Sequence, residues 1–397
     1  MLKFDFKTYA KNFYLTEEYN YLYAKKDAYI KMLKENSMTG WMRPIEREVV
    51  EDIKETANQI KKDFDCLVVI GIGGSFLGSY AFHSLFKQYF NDHSFEVIYA
   101  GTTLSSKYLD ELLSYLRNKN FCINVISKSG TTMETTITYK VLKDLLKRKY
   151  SKEEIQRRII ITTDKEKGTL HDEAKEEGYK TFEIPNDIGG RYSFMTPAHL
   201  LPLALNYDLE EIVDGYYDGK RLVDVAFEYA VTRRLLFSRR KYVENYCVYE
   251  ENMLPFTEWL KQLFGETEGK NGVGIYPTSS LHTRDLHSLG QFVQEGNKIL
   301  FETFIKVANS DNYIDYKGKD LQEINNIVLD SVARAHFKGG VPCLEIEMSE
   351  CNIENITALI YFFMLSAAFS GFLFGANPFD QPGVEVYKQE VRESLGK

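Results

Sequence analysis

A short polar turn of the sequence concentrates four hydroxyl side chains directly before a helical pattern. We call it the hydroxyl turn; it reads Ser127-Lys128-Ser129-Gly130-Thr131-Thr132, and the segment Met133–Lys149 follows it. Amides at the start of a helix and nearby hydroxyls can donate hydrogen bonds to phosphate oxygens, with support from the helix dipole. Because one N-cap needs only one hydroxyl, the pattern favours an anion site over simple helix capping.

A glycine-rich turn follows the strand-like run Leu67–Ile72 and precedes another helical pattern. Gly71, Gly73 and Phe76 occupy the three positions of the dinucleotide fingerprint, so its third glycine is missing, and the next strand ends without an acidic residue. Ser79 stands where a P-loop would have its lysine. Two interpretations remain: close approach of the backbone to a sugar or phosphate, or a tight turn without a ligand.

Two charged side chains beside glycines could act at a site, one as a fixed positive charge and the other as a base. Arg191 follows Gly189 and Gly190, a position that can hold a fixed positive charge over a pocket. Glu266 stands at the predicted end of an amphipathic helix, beside Gly265, where a carboxylate could act as a general base. Each has an ordinary alternative: a surface arginine after a turn, and a solvated glutamate.

Histidine spacing bears on metal binding and on acid–base chemistry. His282 and His287 do not have the i, i+4 spacing of a helical zinc pair, and no cysteine cluster accompanies them, so we expect no catalytic metal. His287 is the histidine best placed for acid–base work, although isolated histidines are commonly structural. Near the end, a turn from Asn377 to Lys388 could present Gln381 and Lys388 to a pocket, or could be a C-terminal clamp.

Strand-length and helix-length segments alternate along most of the chain, and this alternation predicts an α/β protein with mainly parallel sheets. Further strands are predicted at Phe95–Ala100, Phe121–Ile126, Arg158–Thr162, Lys180–Ile184, Tyr246–Tyr249, Val273–Tyr276, Ile299–Ile305 and Pro342–Ile346. Further helices are predicted at Leu254–Phe264, Asp285–Gln294, Leu321–Phe337, Ile356–Phe374 and Val384–Leu395. A weakly punctuated helical region, Thr196 to Arg240, contains the expected domain boundary near 210–235.

Composition places the chain among globular proteins, and its length predicts two domains. The 397 residues are 44% hydrophobic and 27% charged, and 49 basic against 57 acidic groups give a net charge of −8, which disfavours a nucleic-acid binder. Five cysteines without a CxxC pair indicate reduced thiols. The N-terminus lacks the apolar core of a signal peptide, so we expect a cytoplasmic protein.

Two conspicuous stretches have ordinary interpretations. Residues 355–379 carry no formal charge and are long enough to span a bilayer, but their serines, their glycines and the lack of a basic flank favour a buried helix. A basic group near the middle of the chain is expected to form a solvated helix face rather than a nucleic-acid site. Its members are Arg233, Arg234, Arg239, Arg240 and Lys241.

The sequence resembles the bacterial-type glucose-6-phosphate isomerase family through six stretches in the family's order. They are Gly71–Gly78, Ser127–Thr132, Gly189–Ser193, Leu263–Lys270, Asp285–Gln291 and Asn377–Lys388. The resemblance implies two sugar-isomerase (SIS) domains, each a mainly parallel sheet between helices. We expect an N-terminal helical segment at 1–45, SIS domains at 46–215 and 216–376, and a C-terminal segment that completes the site at 377–397.

The resemblance also implies an activity: reversible isomerisation of glucose 6-phosphate to fructose 6-phosphate by ring opening and proton transfer through a cis-enediol, without a cofactor. The implied catalytic residues are Glu266 as the proton-transfer base, His287 and Lys388 in ring opening, and Arg191 in steadying the intermediate. The implied substrate contacts are Gly74, Ser75, Ser127, Lys128, Ser129, Thr132, Gln262 and Gln381. In this family the histidine comes from the neighbouring subunit, which implies a homodimer.

The sequence departs from the family pattern in two places. Ala198 and His199 stand where the family commonly has small or glycine residues, and the region from Tyr207 to Tyr242 is short, so local packing and inter-domain contacts can differ. Two alternatives stay open: a non-catalytic regulator that binds phosphosugars, and a phosphosugar isomerase of dual specificity. Because all four catalytic positions are filled, the pattern favours an enzyme.

Overall fold

Two five-stranded β-sheets organise the chain in the computed structural model, which describes residues 1–396. The strands found there are β1 (Leu2–Tyr9), β2 (Cys66–Ile70), β3 (Glu96–Ala100), β4 (Phe121–Ile126), β5 (Ile159–Thr163), β6 (Lys180–Glu183), β7 (Val243–Val248), β8 (Tyr276–Leu281), β9 (Leu300–Val307), β10 (Asp315–Tyr316), β11 (Lys319–Asp320) and β12 (Cys343–Met348). The short strands β10 and β11 pair only with each other.

Helices follow most of the strands. They are α1 (Thr16–Tyr23), α2 (Lys26–Glu35), α3 (Arg47–Asp63), α4 (Leu77–Phe86), α5 (Ser106–Leu116), α6 (Met133–Lys149), α7 (Lys152–Arg158), α8 (Thr169–Glu177), α9 (Pro197–Leu203), α10 (Leu209–Asp218), α11 (Val223–Ser238), α12 (Leu254–Glu268), α13 (Leu286–Glu295), α14 (Leu321–Lys338), α15 (Ile353–Leu373) and α16 (Gly383–Ser394). The predicted ends of β4 and α6 agree with the structure.

The chain divides into two compact units. The central unit is Ser37–Val213, and the terminal unit combines Met1–Asn36 with Asp214–Lys397. An ion pair of 2.7 Å between Lys26 and Asp224 is one of the contacts that join the two parts of the terminal unit. The SIS boundaries expected from the sequence are a separate assignment and stay a prediction.

The sheet of the central unit is parallel throughout, with the strand order β3-β2-β4-β5-β6. Every residue of β2, β4 and β5 is buried, which is why these strands read as continuous apolar runs in the sequence. β2 and β4 are direct neighbours, with Ile70 opposite Val125. The turns that follow these two strands therefore lie at the same edge of the sheet.

The sheet of the terminal unit has the order β1-β12-β9-β7-β8, in which only the edge strand β1 runs antiparallel to its neighbour. The N-terminal segment expected to be helical thus begins with a strand, and helices follow from Thr16. The aromatic rings of Phe4 and Phe6 alternate with charged residues, Phe6 is buried, and Phe4 packs on Phe362 with ring centroids 4.7 Å apart. Such alternation is typical of a β-strand. The segment forms a strand because this arrangement buries its apolar side against the core.

One predicted strand is displaced along the chain. The apolar run Val273–Tyr276 is expected to be a strand, whereas β8 begins only at Tyr276. Gly272 and Gly274 have φ values of 74° and 124°, which only glycine adopts readily. The chain therefore turns through these residues, and regular pairing with β7 starts after them.

The uncharged stretch near the C-terminus forms α15. This helix is long and apolar enough to cross a membrane, but 89% of its most apolar 18-residue window is buried inside the protein. Residues 355–371 are all buried, and α15 packs against α11 and α12. The Asn352 side chain caps its start by accepting a hydrogen bond from the Asn355 amide at 2.9 Å. The prediction of a buried core helix is confirmed.

A buried arginine joins four elements of the terminal unit. Arg233 of α11 donates from Nε to Glu244 of β7 at 2.7 Å and from Nη1 to Ser370 of α15 at 2.7 Å. It also forms a hydrogen-bonded ion pair with Glu268 at the end of α12. Burial alone would lower the pKa of this guanidinium, but the two carboxylates hold the pKa well above its usual value, so Arg233 stays charged.

The expectation of a solvated basic face holds for part of the group only. Arg239 and Arg240 are exposed, whereas Arg233 is fully buried because its acidic partners lie on other buried elements. Lys241 is buried as well, and its ammonium donates to the carbonyls of Lys298 (2.8 Å) and Gly340 (3.0 Å). Burial lowers the pKa of Lys241 to about 8.

We expect Arg233→Met to destabilise the protein by about 3–5 kcal/mol, because it leaves two buried carboxylates without a counter-charge. Arg239→Met is the matched control, since Arg239 lies at the end of the same helix in a surface pair with Glu18, and such pairs contribute about 0–1 kcal/mol. Urea denaturation of both variants measures the difference. Equal losses in the two variants would contradict the role of the network.

Candidate active site

The hydroxyl turn connects β4 to α6 at the carboxyl edge of the central sheet. Ser127 Oγ accepts a hydrogen bond from the Gly130 amide at 3.1 Å, and Ser129 Oγ accepts from the next amide in the turn at 3.3 Å. Gly130 has φ 69°, and a Cβ there would lie 2.5 Å from Thr169 Oγ1, so the turn requires glycine. Thr132 makes no side-chain cap. The first amides of α6 have no intrahelical acceptors and can donate to an anion.

Lys128 has a different position from the hydroxyls around it. Its ammonium donates to the backbone carbonyls of Pro185 (3.1 Å), Asn186 (3.2 Å) and Ile188 (3.4 Å). Burial lowers the pKa of Lys128 below its usual value of 10.5, although nearby aspartates act in the opposite direction. Lys128 thus fixes the loop that leads to Arg191, in addition to placing a positive charge beside the hydroxyl turn.

The glycine turn, residues 71–75, follows β2 and touches the loop that carries Arg191. A Cβ on Gly74 would lie 2.2 Å from the carbonyl carbon and oxygen of Gly190, so the two backbones meet without side chains between them. The Ser75 amide donates to the Ile72 carbonyl at 3.1 Å and closes a 3₁₀ turn. Ser193 Oγ lies 2.9 Å from the Gly74 carbonyl oxygen and 2.6 Å from that of Gly190.

Arg191 lies in a single 3₁₀ turn, Gly190–Tyr192, and is only 2% exposed. The neighbouring Tyr192 ring stacks on Trp41 with centroids 5.3 Å apart and an interplanar angle of 23°. The Arg191 guanidinium carbon lies 5.6 Å from the centre of that ring. A charge with so little exposure has a fixed position, as electrostatic stabilisation of a reacting group requires.

His199 of α9 is a buried residue whose contacts sequence reasoning did not anticipate. Its Nδ1 accepts from the Ser79 amide at 3.0 Å, and its Nε2 lies 2.8 Å from the Gly74 carbonyl oxygen and 3.1 Å from Ser193 Oγ. Burial lowers its pKa to about 4, so the ring is neutral near pH 7, with the proton on Nε2. The available signal was a histidine among the uniformly apolar residues 197–203.

The last turn of α12 carries two glutamates, two residues apart, whose environments differ. Glu268 is fully buried, is paired with Arg233 and accepts from the Ile275 amide at 3.3 Å. Glu266 is half-buried, and its Oε1 accepts from Gln262 Nε2, one turn earlier, at 3.2 Å. Glu268 is thus held in the core, whereas Glu266 is partly accessible beside Gln262.

The C-terminal turn is tied to the end of α12. Lys270 forms an ion pair with Asp380 at 2.8 Å and also donates to a carbonyl of the same turn. Gln381, the next residue, is exposed. Lys388 lies on α16, is exposed, and donates to Glu385 Oε1 at 2.7 Å. The turn that carries Gln381 is therefore held beside the helix that carries Glu266.

His287 lies in the first turn of α13 and is exposed. Leu289 and Phe292 of the same helix are 49% and 48% exposed. The helix thus presents a histidine and two large apolar side chains at its surface.

One buried cluster in the terminal unit contains residue types that bind metals. Ligand atoms of Cys247, His282 and Glu302 lie within 4.8 Å of one another. Glu302 already accepts hydrogen bonds from His336 Nδ1 (2.6 Å), Asn245 Nδ2 (3.2 Å) and the Cys247 thiol (3.4 Å), and burial raises the pKa of that thiol well above its usual value. The cluster is a satisfied polar network, and none of its members is a predicted site residue.

The predicted site residues fall into two groups. The central unit holds Gly74, Ser75, Ser127, Lys128, Ser129, Thr132 and Arg191, and the terminal unit holds Gln262, Glu266, His287, Gln381 and Lys388. Two mainly parallel sheets flanked by helices, with a hydroxyl-rich turn at the carboxyl edge of the central sheet, match the SIS-type class of α/β protein.

Comparison with known proteins identifies the family. The sequence profile of the phosphoglucose isomerase family matches residues 31–325. The glucose-6-phosphate isomerase of Staphylococcus epidermidis (strain ATCC 12228 / FDA PCI 1200) is 42% identical over 388 residues, which cover 91% of this chain and 88% of that protein. The chain belongs to the phosphoglucose isomerase family, and the resemblance found in the sequence is confirmed.

Solved structures agree on the fold. A hypothetical protein from Thermus thermophilus is 25% identical, with a TM-score of 0.87 and coverage of 100% of both chains. A glucose-6-phosphate isomerase from Chlamydia trachomatis D/UW-3/Cx is 21% identical, with a TM-score of 0.78 over 91% of this chain and 77% of that chain. The predicted α/β class, with two SIS-type, mainly parallel sheets flanked by helices, is confirmed.

His199 gives a prediction for acid stability. Its pKa is about 4 in the folded protein and 6.5 for an ordinary histidine, so the unfolded chain binds an extra proton between these values, and the free energy of unfolding falls as the pH drops from 6.5 to 4. The loss reaches roughly 3 kcal/mol. We expect His199→Gln to lose less stability than the parent between pH 7 and pH 4.5 in urea denaturation. Parallel losses would show that His199 titrates normally.

Proposed function

We propose that this chain is an enzyme that interconverts glucose 6-phosphate and fructose 6-phosphate. Membership of the phosphoglucose isomerase family and the 42% identity to a protein named glucose-6-phosphate isomerase support this function. The observation that carries it at the site is the difference between two glutamates of α12. Glu268 is locked to Arg233, whereas Glu266 is half-buried beside Gln262. One carboxylate holds the structure together, and the other serves proton transfer.

The chemistry uses one carboxylate and fixed positive charge. Isomerisation oxidises C2 and reduces C1 of the same molecule, so it needs no external electron acceptor. Glu266 takes the proton from C2, which gives a cis-enediol, and returns it at C1. Arg191 stabilises the negative charge that develops on the enediol oxygens. His287 and Lys388 assist ring opening, in which the proton of the anomeric hydroxyl moves to the ring oxygen.

The remaining site residues anchor the substrate, so that the reacting carbons stay beside the base. Hydroxyls of Ser127, Ser129 and Thr132, with the first amides of α6, bind the phosphate, and Lys128 adds a nearby positive charge. Gly74 and Ser75 contact the sugar. Gln262 and Gln381 supply further contacts, and the bond from Gln262 to Glu266 orients the base.

The active form in this proposal is a homodimer in which His287 acts in the neighbouring subunit. The exposure of His287 on α13, together with that of Leu289 and Phe292, supports it, because a second copy would cover these side chains. The proposal also includes SIS domains at 46–215 and 216–376, a completing segment from 377, and a cytoplasmic location.

Glu266→Gln is expected to lower kcat by about 10²–10⁴-fold with little change in KM, because the amide keeps the shape of the side chain but cannot take a proton. The measurement is conversion of glucose 6-phosphate to fructose 6-phosphate by purified protein, with a chelator present. Glu258→Gln is the matched control, since Glu258 lies earlier on the same helix in a surface pair with Lys261.

Three outcomes would contradict part of this assignment. Near-normal turnover of Glu266→Gln would remove Glu266 from the role of base. A wild-type protein that binds glucose 6-phosphate without converting it would favour the phosphosugar-binding regulator, and conversion of mannose 6-phosphate at a similar rate would favour dual specificity.

The shared site makes a second prediction. We expect Glu266→Gln and His287→Ala to be nearly inactive alone and to recover up to about a quarter of the wild-type activity after co-expression in equal amounts. Half of the randomly assembled dimers are mixed, and each mixed dimer has one site with both wild-type residues. Co-expression of Glu266→Gln with Glu266→Ala is the control without complementation. No recovery in the first mixture would place His287 and Glu266 of one subunit in the same site.

A further inference from the structure

His199 connects three elements of the central unit from a buried position. Its ring contacts the first turn of α4 through the Ser79 amide, the glycine turn through the Gly74 carbonyl, and the Arg191 loop through Ser193 Oγ. It is 1% exposed, and a Cβ on Gly78 would lie 3.0 Å from it, so the ring fills the space that this glycine leaves. His199 is not among the residues proposed to touch the substrate, so that set of residues gives it no role in the reaction.

The first contact supplies the hydrogen-bond acceptor that a side-chain cap would give to the start of α4. Phe76, the residue before α4, has no side-chain cap, and the Ser79 amide is one of the first four that an α-helix leaves without an acceptor. His199 Nδ1 accepts from this amide at 3.0 Å, although it comes from another helix. The start of α4, which follows directly on the glycine turn, is therefore fixed by His199.

The second contact fixes one peptide group of the glycine turn. The carbonyl oxygen of Gly74 accepts from His199 Nε2 at 2.8 Å and lies 2.9 Å from Ser193 Oγ, while the amide on the same peptide, that of Ser75, donates to Ile72. Both ends of the peptide between Gly74 and Ser75 are thus hydrogen-bonded. Because glycine restricts its own backbone poorly, these bonds determine how the two residues are presented.

We propose that His199 is a positioning residue for the isomerase reaction, which holds the peptide between Gly74 and Ser75 and the Arg191 loop in the geometry that the bound sugar requires. This inference rests on the proposed function. His199 touches no substrate; it acts through Gly74 and Ser193. Small displacements of positioned groups cost activity steeply, and a shift of about 1 Å can cost about 100-fold.

Two substitutions separate the two contacts of the ring. The amide of Gln reaches the place of Nε2, so His199→Gln retains a donor for the Gly74 carbonyl and loses the cap on Ser79. The shorter Asn reaches the place of Nδ1, so His199→Asn retains the cap and loses the bond to Gly74. His83→Gln is the matched control, because His83 is a buried histidine of α4 that bonds to Tyr207.

The experiment measures kcat and KM for both directions of the isomerisation, the melting temperature, and the affinity for sorbitol 6-phosphate, which has no carbonyl to isomerise, and for inorganic phosphate. We expect His199→Asn to lower kcat/KM by about 10–100-fold and to weaken sorbitol 6-phosphate binding, with phosphate binding unchanged. We expect His199→Gln to retain most of kcat/KM. His83→Gln should lower the melting temperature and leave kcat/KM unaltered.

A different pattern would overturn the inference. If the loss of kcat/KM follows the loss of melting temperature across all three variants, or if His199→Asn is as active as the parent, His199 has a structural role only. An inactive wild-type protein would overturn the proposed function instead, and the binding of sorbitol 6-phosphate then still tests whether His199 shapes the sugar-contacting turn.

Discussion

The terminal unit depends on one buried charge, the guanidinium of Arg233. A buried charge is costly unless it is paired, and here Glu244 and Glu268 pair with it, while Tyr246 and Thr303 donate to Glu244 at 3.0 and 2.6 Å. These bonds join α11, β7, α12 and α15, so the network fixes the end of α12. Residues two positions apart on an α-helix point in directions about 200° apart. Because Glu268 is anchored in the core, Glu266 therefore points away from the core.

Local sequence patterns were sufficient for most elements, because most are buried strands or amphipathic helices whose periodicity is intrinsic. The apolar run Phe121–Ile126 and the helix after it were predicted to the residue for that reason. One failure occurred where a partner distant in sequence decides, and another where the local backbone conformation decides. The strand Leu2–Tyr9 is stabilised by pairing with Cys343–Met348 and by Phe362, more than 330 residues away. The start of β8 depends on two glycines with positive φ, which lie in a segment whose apolar residues predict a strand.

Motifs predicted a set of site residues, but the contacts that each of these residues makes could not be predicted from the sequence. The sequence motifs singled out Glu266 and assigned no role to Glu268, whereas the position of Arg233 on a different helix shows that Glu268 is held in the core. The motif predicts Lys128 to be a phosphate ligand. In the structure its ammonium donates to three carbonyls of a loop that lies more than 55 residues further along the chain. Such assignments depend on which groups meet in space, and no local spacing contains that information.

Backbone contact, rather than side-chain contact, determines the structure of the glycine turn of the central unit. A Cβ on Gly74 would clash with the backbone of Gly190, and a contact between two glycines has no side chains of its own to hold it in register. The rigidity must come from hydrogen bonds at its border, which Ser193 and His199 supply. A histidine at this position needs room, and Gly78 provides it. The departure from the family pattern at His199 is therefore compatible with the fold because Gly78 leaves space for the ring, and the contact between Gly74 and Gly190 is what its hydrogen bonds stabilise.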